Sequence, residues 1–416
     1  MITWSHPGNT IRRVAAGALS SVGLWLAPAP VARAQPTHTA QDWSQAPANF
    51  VPQDSLRDYL GRLKSALLAL QDRPEQQQPL KLTAHVVAEG RTGVRRLRIR
   101  NFQFLSDGAL ATAESNLGPG SWPTVTGVLG SAVAQDFLMQ AALKGVPLDE
   151  LEVVVTSQPG AAPRSGGGAR VVYPRDLVYT AYIVSPASDA ELEELRQTVE
   201  RVSPVLNLVS QAQAIEHGTL VYKSTPAKRA GKTLEGLREF LAEKQAAAAG
   251  AKPPAVPRLA VAGAPRNPGE PSLRAHVKVE AGTGIRHVRT DASNFQIIHD
   301  SPRYLAGHNL GPIAEEHLLG VMITCLTHIY EMQAASRNVV LDSLELEVEG
   351  TLVPRLGSTA TPPRLKDIRY HVYIGSPESK EKIQQLQQAV EATCPIYHML
   401  KDAQPINGSI VRGPYR

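Results

Sequence analysis

The sequence predicts an α+β fold made of two tandem copies of one unit. Three observations carry this: a collinear internal repeat, the same succession of helical and extended patterning in each half, and a Pro-rich connection between the halves. Leu117-Gly118-Pro119 recurs as Leu310-Gly311-Pro312, and Asn101-Phe102-Gln103 as Asn294-Phe295-Gln296. Leu148-Asp149-Glu150-Leu151-Glu152 resembles Leu341-Asp342-Ser343-Leu344-Glu345, and Val202-Ser203-Pro204-Val205 matches Thr393-Cys394-Pro395-Ile396. The offset stays between 191 and 193 residues, so the halves align with few indels. Of 416 residues 43% are apolar, enough for a large core and against pervasive disorder, while 32 Gly and 32 Pro without a three-residue period exclude a collagen-like chain.

Each copy opens with an amphipathic helix, Ser55 to about Gln71 and Thr233 to about Ala249. Alternating stretches follow, near 80–89 and 94–105 in the first copy and 273–280 and 285–298 in the second. A long apolar helix comes next (about 122–143; about 314–335), then two strands (Leu151–Thr156 and Leu177–Ile183; Leu344–Gly350 and Ile368–Ile374). A second helix (Ser188–Val202; Ser379–Thr393), a short helix after Ser-Pro or Cys-Pro, and a closing strand (Thr219–Lys223; Ser409–Arg412) complete the unit. Gly166-Gly167-Gly168 lacks a P-loop Lys and reads as a hairpin insertion. The resulting organisation is 50–226 for the first domain with its leading helix, 227–270 for a helix and Pro-rich linker, and 271–416 for the second domain.

Residues 1–34 read as an export signal: a polar start ending in Arg12-Arg13, an apolar stretch from Val14 to Leu26, then Ala32-Arg33-Ala34. The apolar run is short of a bilayer span and is broken by Pro28 and Pro30, and no other segment is apolar and long enough, so the mature protein is expected to be periplasmic or secreted and free of the membrane. The formal charge is +5, but three arginines belong to the leader, leaving 40 basic against 38 acidic residues, a net +2. That argues against a nucleic-acid partner.

The chain has two cysteines, both in the second copy. Cys325 shares a helix face with Leu318, Met322 and Ile329. Cys394 precedes Pro395, and Pro favours the first helical position, which puts Cys394 at an N-cap where free amides stabilise a thiolate. Two thiols in an oxidising compartment are open to a passive structural disulfide in a non-enzymatic binding or scaffold protein, or to redox chemistry. The cysteines show no metal-ligand spacing, and no metal or other cofactor is expected. His328, one turn after Cys325, reads as a satisfied or surface histidine.

The run from Asn309 to Thr327, with Gly311-Pro312-Ile313-Ala314-Glu315 ten residues before Cys325 and Cys394-Pro395 later, resembles the hallmark segment of the OsmC/Ohr family, the osmotically inducible protein C and organic hydroperoxide resistance proteins. The family pattern is Gly-Pro-x-Pro-Glu-x-Leu-Leu-x-Ala-x-x-x-x-Cys; here Ala314 replaces a Pro and His317 a Leu. The resemblance covers about 273–412, and about 80–223 matches it in plan. It implies a thiol-dependent hydroperoxide reductase active in oxidative-stress defence, with Cys325 peroxidatic, Cys394 resolving, Glu315 orienting an activating Arg, and a dithiol reductant, lipoyl-type or another thiol donor. Family members form intertwined homodimers with sites at the interface, so the two copies are expected to pack as an intramolecular pseudo-dimer. The family's Arg turn survives as Glu89-Gly90-Arg91-Thr92-Gly93 in the first copy, whereas the second has Ala281-Gly282-Thr283-Gly284. Arg91 donated across to Cys325 is therefore the expected cation, with Arg286 and then Arg289 the alternatives. Ala132, Trp122 and Ser203 stand where the second copy has Cys325, Glu315 and Cys394, leaving the first copy without a nucleophile. Export with cleavage after Ala34 predicts a mature chain beginning at Gln35; N-terminal sequencing of the exported protein checks it, and an intact Met1 would contradict it.

Overall fold

Ser55 caps the first helix as its sequence suggests: the Asp58 amide donates to the Ser55 hydroxyl at 3.2 Å, and the Ser55 amide donates to the Asp58 carboxylate at 2.8 Å. Helix α1 then runs Leu56–Gln71 and buries Tyr59, Leu63, Leu67 and Leu70 along one face. The computed structural model describes residues 54–73, 78–90, 93–108, 114–161, 171–227, 236–250, 273–290, 295–353 and 364–416. The export leader, Arg91, the Gly166–Gly168 insertion and the Pro-rich stretch 251–272 lie outside them.

The two halves have one element order. The first continues through β1 (Leu80–Ala88), β2 (Arg95–Ile99), β3 (Phe102–Ser106), α2 (Ser121–Lys144), β4 (Glu150–Ala161), β5 (Val172–Val184), α3 (Asp189–Val202), α4 (Pro204–Ser210) and β6 (Thr219–Ser224). The second runs α5 (Leu237–Ala248), β7 (Leu273–Val279), β8 (Arg286–Thr290), β9 (Phe295–His299), α6 (Ala314–Ser336), β10 (Ser343–Val353), β11 (Arg364–Ser376), α7 (Lys380–Glu391), α8 (Pro395–Lys401) and β12 (Ile406–Arg412). One expectation needs correcting in each half. The stretch 94–105, read as a single strand, folds back as the β2–β3 hairpin, with Ile99 facing Phe102 and Arg100 in the left-handed region at φ 52°. Alternation continues unbroken through so tight a turn, which hides it from a period-2 reading. The stretch 285–298 likewise resolves into β8 and β9.

Neither half completes a sheet. One six-stranded sheet has the order β3-β2-β1-β10-β11-β6, the other β12-β5-β4-β7-β8-β9. Antiparallel pairing of β1 with β10, Leu80 facing Leu352 through Val87 facing Glu345, joins the halves in the first sheet. Pairing of β4 with β7, Glu152 facing Lys278 through Ser157 facing Leu273, joins them in the second. The last strand of each half also crosses over: β6 lies parallel to β11, and β12 parallel to β5. Strands β1, β4, β5 and β6 and their counterparts β7, β10, β11 and β12 thereby gain backbone partners that their own half does not supply.

Helix α2 lies on β7, β4 and β8, α6 lies on β1, β10 and β2, and the two helices pack against each other. Both are apolar almost all round because each is covered by a sheet on one side and its fellow on the other. Close approach explains two of their glycines. A Cβ on Gly127 would meet Val288 Cγ1 at 2.5 Å, and one on Gly320 would meet Leu97 Cδ2 at 2.9 Å. Among the described residues no helix is long and apolar enough to cross a membrane. Residues 50–226 expressed alone leave β1, β4 and β5 each short of one partner strand and β6 with none, so they should self-associate or precipitate at micromolar concentration; light scattering after gel filtration reads this, and a well-behaved monomer would contradict the shared-sheet packing.

Candidate functional site

Cys325 and Cys394 come together in the core, 3% and 0% exposed, both as free thiols. Cys325 sits midway along α6, and Cys394 at the N-cap of α8. Cys394 caps by position, without a close side-chain bond into its helix. The chain enters α8 at Pro395, whose fixed φ suits the first helical position. Burial pushes both thiols up, but their surroundings separate them. For Cys325, burial is outweighed by the Cys394 thiol, the Ile396 amide, the Arg95 charge and the Ser121 hydroxyl, which together hold it below the ordinary thiol value. Cys394 is pushed well above that value, by burial first and then by Cys325 beside it. When one of the pair ionises, Cys325 is the favoured thiolate and Cys394 keeps its proton.

The cation beside Cys325 is Arg95, the first residue of β2 and a contribution of the first half. Its side chain is 2% exposed and donates to Glu114 at 2.8 Å and Glu331 at 2.9 Å. Glu114, from the loop before α2, also faces Lys244 of α5 at 3.2 Å and His328 Nδ1 at 2.9 Å. Burial holds His328 down to about 4, so it is neutral near pH 7 and donates Nδ1–H to Glu114. Burial opposes ionisation of Glu114, but His328, Arg95 and Lys244 overcome it and keep Glu114 far below the usual carboxylate range. Burial pushes Glu331 up to about 7, against the pull of Arg95 and Lys244. The charge balance is informative: Arg95 and Lys244 face a firmly ionised Glu114, with Glu331 and the buried Asp107 as further acidic neighbours of Arg95. Glu114, His328 and Glu331 stand close enough to chelate a metal, but the Arg95 Nη1 lies 2.8, 3.2 and 2.9 Å from them and already supplies the positive charge they enclose.

The structure does not bring Glu315 to Cys325. Glu315 lies in the first turn of α6, and its charged neighbours are Arg286 and Glu316. Arg286 is the residue of the second half equivalent to Arg95, and it too crosses over, donating to Ser131 on α2 at 3.1 Å and to Ser301 at 3.4 Å, and bonding Gln135. It serves the Ala132 side, where Asp136, held up by burial and steadied by Ser203, is its further carboxylate neighbour. Ser203 caps α4, accepting from the Leu206 amide at 3.2 Å. So the Arg–Glu couple expected at Cys325 converges on the half that lacks sulfur. Arg91 lies outside the described residues. Sequence reasoning missed Arg95, Glu114, Glu331 and Lys244 and took His328 as a bystander. The signal for Arg95 was present: it stands 191 residues before Arg286, at the repeat offset.

These features define an α+β protein whose second half carries an OsmC-like domain. Residues 307–408, which include both cysteines, match the family described as OsmC-like protein. Among solved structures, an OsmC-like protein from Mycoplasma pneumoniae is similar at 24% identity and a TM-score of 0.23, over 28% of this chain and 77% of that one. An osmotic-stress-induced and detoxification-response protein from Psychrobacter arcticus 273-4 is similar at 17% identity and a TM-score of 0.26, over 33% of this chain and 94% of that one. No curated protein matches the sequence.

The charge balance has a direct test in the pH dependence of Cys325 alkylation. Because only the thiolate reacts, losing the cation shifts the profile to higher pH and losing its competitor shifts it to lower pH. Arg95→Met should raise the midpoint by roughly one to three pH units and destabilise the fold by ~3–5 kcal/mol through two unpaired carboxylates. Arg95→Lys should restore much of both, Glu331→Gln should lower the midpoint, and Arg286→Met should leave it unchanged.

Proposed function

We propose that this chain is a tandem OsmC-like protein, closest in chemistry to the organic hydroperoxide resistance branch, that reduces organic hydroperoxides at Cys325. The observation that carries the reading is the pair of touching, buried thiols in unequal surroundings: Arg95, Ser121 and the Ile396 amide favour the thiolate of Cys325, while burial favours the protonated form of Cys394. The OsmC-like match over 307–408 connects the same domain with osmotic and oxidative stress proteins. The matching element order and the crossed strands of the two halves support a duplicated unit packed as a pseudo-dimer, with the first copy structural.

The chemistry follows from the two protonation states. The Cys325 thiolate attacks the distal oxygen of ROOH, the O–O bond breaks, and the departing alkoxide takes a proton from the Cys394 thiol or from water to leave as ROH. Cys325 becomes a sulfenic acid. The Cys394 thiolate then attacks its sulfur, forming the disulfide and expelling hydroxide, which takes a proton from solvent and leaves as water, and a dithiol reductant restores both thiols while becoming a disulfide itself. Arg95 and the Ile396 amide lower the cost of the starting thiolate, and the apolar walls exclude the water that would solvate it. The leader ending at Ala34 supports action in the periplasm or outside the cell, where the reductant is an exported or surface dithiol.

Peroxide consumption by the full mature chain with dihydrolipoamide or dithiothreitol tests the reading. Cys325→Ser should abolish turnover, whereas Cys394→Ser should complete one oxidation and stall at a sulfenic acid, trapped by dimedone and weighed by mass spectrometry. Equal residual turnover in both variants, or a Cys325–Cys394 disulfide that resists these dithiols, would overturn it in favour of a structural bond.

A further inference from the structure

A cavity of about 250 Å³ opens between the two sheets beside the redox pair. Strands β2, β3 and β9 wall it with Leu97, Phe104, Phe295 and Ile297, and α6 closes it with His317 and Val321. Thr324 also reaches it, and Thr324 lies 3.3 Å from the Ser121 hydroxyl that steadies Cys325. The cavity thus lies one hydroxyl away from the reacting sulfur. No Lys, Arg, Asp or Glu is among its described lining residues, so an ion entering it would lose hydration without a counter-charge.

Gln103, Ser106, Thr124, Gln296 and Thr324 add uncharged polar groups to the wall, and His317 is its one imidazole. It is 2% exposed, stacks on Phe104 at 4.9 Å, and its Nδ1 lies 2.8 Å from Nε2 of His299, which is fully buried. Burial holds His317 down to about 3 and His299 well below the usual imidazole value, with Arg286 and the rings themselves adding to the effect on His299, so both rings are neutral and share a single proton across their contact. Two tautomers satisfy that contact. If His317 donated, the remaining proton of His299 would sit on Nδ1, which is buried and has no partner. An orphaned buried N–H is rarer and costlier than a bare ring nitrogen, so His299 Nε2–H donates instead. The proton of His317 is then on Nε2, which has no protein partner among the described residues.

We infer that this cavity binds an uncharged apolar molecule bearing one hydrogen-bond acceptor, and that His317 Nε2–H donates to that acceptor. Taken with the proposed activity, on which this link to turnover rests, the molecule is the organic part of the hydroperoxide, and neutral hydroperoxides are preferred to carboxylate-bearing ones. The tautomer makes His317 a specificity-determining residue.

Unreactive probes separate binding from catalysis. Acetophenone and α-methylstyrene have the same shape and differ in C=O against C=CH₂, and benzoate adds a charge. Titrated into the full mature chain and followed by methyl NMR, acetophenone should perturb the methyls of Leu97, Ile297 and Val321. It should bind about five- to tenfold tighter than α-methylstyrene, the effect of one hydrogen bond, and benzoate should bind more weakly than either. His317→Leu keeps an apolar wall and should equalise the first two probes without weakening α-methylstyrene. Equal affinities in the unmodified protein, a preference that survives His317→Leu, perturbed methyls elsewhere, or benzoate binding best would each overturn the inference. Cys325→Ser should bind all three probes as the unmodified chain does. Probe binding without peroxide turnover would therefore sink the proposed activity and leave the cavity assignment standing; turnover without probe binding would do the reverse.

Discussion

The pairing of β1 with β10 and of β4 with β7 is the constraint on which the rest of the molecule depends. Each contact removes two open sheet edges at once, and each ties together strands from opposite halves of the chain. The two long helices are then forced into the space between two composite sheets, where only small residues permit the approach seen at Gly127 and Gly320. The thiol pair inherits its surroundings from this crossing. Arg95 starts a strand two places from β10 in the shared sheet, and Cys325 rides on the helix laid across that sheet. A charge from one half meets a thiol from the other because their strands share hydrogen bonds.

Burying charge in such a core is costly, and the molecule meets that cost by grouping opposites. Arg95 and Lys244 face Glu114 and Glu331, with a neutral His328 completing the shell of Glu114. Arg95 and the hydrogen-bond donors around Cys325 favour a thiolate in a place where burial alone opposes one. The equivalent cluster around Arg286, with Asp136, Asp300 and Glu315, has a different composition: one cation with three carboxyl groups and no sulfur. Two halves with one element order thus hold two electrostatically different sites.

The α+β class, the repeated element order, the long helices and the Ser55, Ser188, Ser203 and Ser379 caps were all legible in the sequence, because periodicity and capping chemistry act over a few residues. So were the two cysteines: the helix cysteine and the Cys-Pro step announce themselves locally. The β2–β3 hairpin was not legible, since a two-residue turn leaves the alternation intact. Nor was the true setting of Glu315, which lies ten residues from Cys325 along the same helix, too far along the axis for its side chain to reach the thiol.

What the sequence by itself determined, then, were the pieces and their order: two copies, two thiols, and arginines at equivalent positions of the repeat. Only the tertiary structure decided which arginine serves which site and that His317, rather than a leucine, faces the cavity beside the thiols. Strand pairing across the halves is a choice among partners distant in sequence, and period-2 patterning says which face a residue takes but not whose face it meets. Charge at Cys325 depends on that choice, because a guanidinium acts on a thiol through a few ångströms of low-dielectric core and not through its place in the chain.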